Sequence, residues 1–241
     1  MDFDVRLILL IGIAFLIPLL YAWWIRDTER CHRQQWASIF LCFIWGASLA
    51  VIAAFILEFG LEISLFASLQ DAETVSLLMV IAIAPIVEEF AKPLILGARS
   101  VRSQMTELED GLIYGAVAGL GFSATENLFY GYDNLNQDIG AFLILIAIRS
   151  FGACLLHASA TALTGYGYGK TLLKGTPILL TLPYYGLAIF LHSFYNFLVT
   201  LDIAGTAIGL GIAFLFVTLT ITLVRGKIKT LDQQTCDDKP T

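Results

Sequence analysis

Side chains of the kind that hydrolyse bonds lie inside stretches of this chain that are otherwise apolar. Glu88, Glu89 and Lys92 fall in one such stretch and Glu126 with Asn127 in the next. Arg149 and His157 fall in a third, and His192 and Asn196 in a fourth. Their spacing is helical. Glu88 and Lys92, Glu126 and Tyr130, His157 and Thr161, and His192 and Asn196 are each four residues apart, so each pair shares a helix face. Glu88 and Glu89 diverge by about 100° on their helix, so one faces a common centre while the other faces a neighbour such as Arg149. Glutamate and histidine are zinc ligands, and a catalytic zinc keeps three protein ligands plus water. Glu126, His157 and His192 supply three from three helices. Glu88 or Glu89 is then the base that activates water, and Asn196 is an oxyanion donor. Lys92 and Arg149 read as charge partners. A metal-free variant pairs two carboxylates, such as Glu89 and Glu126, as acid and base. The chain has no HExxH helix.

The elements that position these residues are membrane spans. Of 241 residues, 58% are hydrophobic and 14% charged, with a formal net charge of −6. Mean hydropathy is +0.79. A soluble domain is nearer a quarter charged, and an acidic chain offers no basic face to nucleic acid. Apolar runs lie at about 7–25, 36–57, 74–96, 111–132, 139–164, 177–200 and 204–224. The reading is an all-α bundle of seven transmembrane helices. Arg26, Arg30, Arg33, Arg99, Arg102, Lys170, Lys174, Arg225, Lys227, Lys229 and Lys239 fall in alternate connections. Segments 58–73, 131–138 and 201–203 hold Glu58, Glu62, Asp71, Glu73, Asp133, Asp138 and Asp202 without one basic residue. The positive-inside rule then puts the N-terminus outside and the C-terminus in the cytoplasm. Residues 1–230 read as one helical membrane domain with the active-site core at about 74–200, and 231–241 as a short disordered cytoplasmic tail.

Three local features bear on packing. Pro85 should kink the third span and free a carbonyl. Gly111, Gly115 and Gly119 form a ridge of small residues that lets the fourth span pack closely on a neighbour. The run Gly165-Tyr-Gly-Tyr-Gly169 reads as a helix terminus. Cys31, Cys42, Cys154 and Cys236 have no paired spacing and read as free thiols.

These motifs resemble the PrsW family of intramembrane proteases. The resemblance rests on Glu88-Glu89-Phe90-Ala91-Lys92, on Phe122-Ser-Ala-Thr-Glu126-Asn127, on His157-Ala-Ser-Ala-Thr161 and on His192-Ser-Phe-Tyr-Asn196, in that order over about 85–197. The type II CAAX prenyl proteases are more distant kin. This chain departs from them with Lys92 four residues after Glu88 and with Glu126 in place of a histidine. The resemblance implies cleavage of a membrane-anchored protein, a single-span anti-sigma factor cut at its first site, in a bacterial plasma membrane. Two other classes compete on the residues alone: a proton-coupled transporter using the buried carboxylates, and a non-catalytic scaffold that holds a partner helix.

Overall fold

The computed structural model describes residues 3–136, 138–200 and 206–238, and among these all regular structure is helical. The long helices are α1 (Phe3–Arg26), α2 (Trp36–Leu69), α3 (Ala72–Gly97), α4 (Leu108–Asp133), α5 (Ile139–Lys174), α6 (Ile178–Thr200) and α7 (Thr206–Asp238). Six of them are long and apolar enough to cross a membrane; α4 is the exception. Asp202 and Lys239, which enter the charge pattern, lie outside the described residues, as does the start of the seventh apolar run at Ala204.

The bundle turns its apolar side chains outward. Ile8, Phe55, Ile144, Leu179 and Leu215 are exposed, whereas Glu88, Glu89, Lys92, His157 and His192 are buried. That arrangement suits a hydrocarbon surround, where polar groups must find partners inside the protein. The helix α4, which is not among those six, sits at the centre and packs on α1, α2, α3, α5 and α7. Its ridge meets α5 as its spacing predicts. A Cβ at Gly111 would strike the Gly165 carbonyl, one at Gly115 the Thr161 carbonyl, and one at Gly119 the His157 carbonyl. The 165–169 glycines are therefore interior to α5 and not a terminus. The helix continues to Lys174 and ends at Gly175, in the left-handed region at φ 61°.

Three long helices contain a π-helical turn: Gly46–Ala50 in α2, Met79–Ile83 in α3 and Arg149–Ala153 in α5. In α3 the wide turn leads into Pro85. In π register Val80 O would receive the amide of residue 85, which proline lacks. Asn196 Nδ2 of α6 donates to that carbonyl instead, at 2.8 Å.

Two boundaries differ from the sequence reading. The helix α2 runs on to Leu69, so Glu58 and Glu62 stand on a helix and not in a connection. The helix α7 runs on to Asp238, so the structure has helix over most of the segment read as a tail. That extension brings Cys236 to the α1–α2 connection, where it forms a disulfide with Cys31; of the cysteines read as free, only Cys42 and Cys154 are. Asp232 accepts from the backbone N–H groups of Arg30 at 2.9 Å and Cys31 at 3.0 Å. Beside it, Glu29 accepts from Gln34 N at 3.2 Å, and Gln34 bridges Asp110 and Tyr114. Burial, reinforced by the nearby Asp110 carboxylate, pushes Glu29 up to about 8.

Candidate active site

Four helices deliver the ionisable residues to one place. Lys92 is fully buried, and its Nζ lies 2.8 Å from Glu88 Oε2, 2.8 Å from Glu89 Oε1 and 2.7 Å from His157 Nδ1. It also stands 4.4 Å over the Phe122 ring. Lys92 starts the tight 3₁₀ stretch Lys92–Gly97 that ends α3. Its i−3 and i−4 neighbours are the two glutamates, so the local helix alone brings this ammonium to both carboxylates.

Glu89 is the more fully held of the two. Its Oε1 takes Lys92 and His192 Nδ1, the latter at 3.0 Å, and its Oε2 accepts from Thr161 Oγ1 at 2.9 Å. Glu88 Oε2 is buried and has the Lys92 ammonium as its close partner, at 2.8 Å. His157 Nδ1 lies 3.8 Å and His192 Nε2 4.0 Å from that same oxygen. The two imidazoles meet edge to face with centroids 4.8 Å apart.

On the other side of His157, its Nε2 lies 2.8 Å from Glu126 Oε2. Arg149 Nη2 pairs with that oxygen at 3.1 Å, its Nε donates to Asn127 Oδ1 at 2.9 Å, and its guanidinium stacks 3.7 Å over Tyr130. Lys92 is the counter-charge of both Glu88 and Glu89, whereas Arg149, expected beside one of that pair, stands against Glu126 instead. The α4–α5 ridge explains the Glu126–His157 contact. Gly119 brings the two backbones together at His157, two helical turns before Glu126.

Of the sequence-predicted residues, Glu88, Glu89, Lys92, Glu126, Arg149, His157 and His192 form one connected cluster. Asn196 lies at its edge, with its amide donating to Val80 O. A metal-ligand group forms from Glu88, His157 and His192, whose ligand atoms lie within 4.8 Å of one another. Glu126 of the expected triad meets His157 but stands outside that group. Two imidazoles and a carboxylate are a zinc-type donor set. The Glu88 oxygen of that set is held by the Lys92 ammonium at 2.8 Å.

The cluster opens on one side. A groove of about 440 Å³ between α2, α3, α4 and α6 is lined by both Glu88 and Glu126, and by Asn196. Glu58, missed as a site residue, also lines it. The signal was present: apolar residues continue from Leu57 through Phe59, Leu61, Ile63, Leu65 and Phe66 past the carboxylates. Thr161, noted as the partner on the His157 face, holds Glu89.

A sequence profile described as PrsW family intramembrane metalloprotease matches residues 34–224. The chain is also similar to Protease PrsW of Clostridioides difficile (strain 630), with 28% identity over 165 residues, 66% of this chain and 65% of that protein. The aligned part thus spans just under two thirds of that relative's length. No solved structure matches the chain. The profile takes in the whole cluster and most of the chain, so the chain belongs to the PrsW family of intramembrane metalloproteases.

Proposed function

We propose that the protein is a membrane-embedded endopeptidase that hydrolyses a peptide bond of a membrane-anchored protein admitted through the groove. The observation that carries the reading is the placement of Glu88 and Glu126. Both line the groove, and both contact His157 from opposite sides. Glu126 is the group that takes a proton from water. Arg149 and His157 hold its carboxylate toward the groove and compensate its charge. Water adds to the scissile carbonyl carbon, the C–N bond breaks, and the proton passes to the departing amine. Glu89, gripped by Lys92, His192 and Thr161, is a positioning residue that fixes His192 and Lys92. Asn196 secures the opened turn of α3 along the groove.

Glu88, His157 and His192 would hold a zinc ion. When bound, it supplies Lewis acidity that makes water easier to deprotonate and polarises a carbonyl. Glu126, His157 and His192 remain the alternative ligand set, with Glu88 or Glu89 as base. One observation favours a metal-free reading as well: both ring nitrogens of His157 already have partners, Lys92 and Glu126. There Glu88 and Glu126 act as the two carboxylates of an acid–base pair.

The proposal includes seven spans, with α4 crossing inside the ring of the others, the N-terminus outside and the C-terminus cytoplasmic. The membrane is a bacterial plasma membrane, and the substrate a single-span protein such as an anti-sigma factor. The test is metal content of detergent-purified protein together with cleavage of single-span substrates. About one zinc per chain, absent from a folded His157→Ala/His192→Ala variant, supports the metal site. Cleavage by a metal-free preparation leaves the paired carboxylates. No cleavage of any single-span substrate by loaded, monodisperse protein overturns the peptidase reading.

A further inference from the structure

The groove has a charge that the cleavage chemistry does not use. On α2, Phe55, Glu58, Phe59 and Glu62 recur at helical spacing along the groove wall. Glu58 Oε1 is buried and has no hydrogen-bond partner among the described residues. A carboxylate oxygen in that position is costly unless something fills the space beside it. Glu88 and Glu126 have Lys92 and Arg149 as counter-charges. Glu58 and Glu62 have no ion pair among the described residues, and no Lys or Arg is among the groove's lining residues. Facing α2 across the groove, α4 presents Phe129 and Tyr130, one face of the latter being covered by Arg149. Carboxylates flanked by aromatic rings suit a cation on an apolar stem. The stem lies along the rings and the charge reaches the acids. An apolar or acidic side chain in the same place leaves Glu58 without a partner.

Resting on the hydrolytic reading above, we propose that Glu58 and Glu62 form a specificity subsite that selects substrates carrying a lysine or arginine close to the scissile bond. The acids are part of a wall continuous with Glu88 and Glu126, so the same extended segment meets both. Binding the cation contributes mainly to substrate affinity, because Glu58 belongs to a different helix from any residue assigned to water or proton transfer.

The experiment uses the full chain in lipid nanodiscs. A single-span substrate is prepared in versions that carry Lys, Gln or Glu at each position in turn around the scissile bond. Expected is a preference for Lys over Gln of about tenfold or more in kcat/KM at one or two positions, residing in KM, and weakened by salt. Glu58→Gln should remove most of it. Glu58→Lys should reverse it, so that the Glu substrate becomes the better one. Each variant must elute as wild type and melt within a few degrees of it. Charge-blind cleavage by wild type, or an unchanged Lys preference in Glu58→Lys and Glu62→Lys, overturns the subsite. If wild type cleaves nothing, the hydrolytic reading fails, and binding of backbone N-methylated, uncleavable peptides decides the subsite. Lys-dependent binding reversed by Glu58→Lys upholds it, and binding indifferent to charge overturns it.

Discussion

Gly119 of α4 and His157 of α5 meet backbone against backbone: a Cβ on the glycine would collide with the histidine's carbonyl oxygen. This contact sets the distance between the two central helices where the imidazole must reach Glu126. Gly119→Ala should therefore force the helices apart, at a cost of ~1–3 kcal/mol. The measurement is the midpoint of thermal unfolding in detergent, beside cleavage rate. A larger fall in rate than in stability is expected, because the Glu126–His157 pair is the first geometry lost. Gly12, whose Cβ would meet nothing, is the control.

Lys92 neutralises two buried carboxylates without contact with water. Replacing it by methionine should destabilise the fold by ~3–5 kcal/mol, the range for stripping one partner from a buried ion pair. Adding Glu89→Gln to Lys92→Met should recover part of that loss, since the uncompensated charge falls by one. A double-mutant cycle on unfolding free energies checks this. Additive losses would mean that the ammonium is not held by Glu89.

Glu88 and Glu126 should part company on substitution. Glu88→Gln should lower bound metal, because Glu88 belongs to the ligand group with His157 and His192. Glu126→Gln should retain metal yet lose ~10²–10⁴ in cleavage rate, as removal of a general base does. Metal content by mass spectrometry and single-turnover cleavage on the same samples make the comparison. Loss of metal from Glu126→Gln instead would favour the ligand set Glu126, His157 and His192.

The buried carboxyl of Glu29 makes stability depend on pH. Its ordinary value of 4.5 is raised to about 8 in the fold. The folded state therefore binds a proton that the unfolded chain gives up earlier. The resulting stabilisation is complete below about pH 4.5 and is lost as pH rises through 8. The melting temperature of the purified protein should fall between about pH 5 and 8, by roughly a few degrees, and level off above that. Glu29→Gln should flatten the slope, since a neutral amide has no proton to lose. A wild-type slope unchanged in the variant would place the effect elsewhere.

Several parts of the site were legible because they are local. The i,i+4 relation of Glu88 and Lys92 is fixed by helix geometry, and it places the ammonium on its carboxylates wherever the helix goes. The small-residue ridge on α4 announced a close neighbour, though not that the neighbour's own glycines at 165–169 complete it. Glu58 was misplaced because a carboxylate at the end of an apolar run looks like the start of a connection. The apolar residues from Phe59 to Phe66 carry the helix past it. The Cys31–Cys236 bond was out of reach because its partners are 205 residues apart and carry no spacing signal.

By itself the sequence determined that this is an all-helical membrane protein and which helix faces carry charge. Those follow from hydropathy and from a fixed helical period, both properties of short segments, while the hydrolytic reading rested on the resemblance of four motifs to the PrsW family. Tertiary structure alone decided the partners beyond the local Lys92. It gave Glu89 to His192 and Thr161, left Glu88 Oε2 with Lys92 as its close partner, and set Glu126 between His157 and Arg149. The physical reason is that two adjacent glutamates are equivalent in a sequence but point about 100° apart on a helix. What stands in each direction is settled by how closely the glycines of α4 let α5 approach.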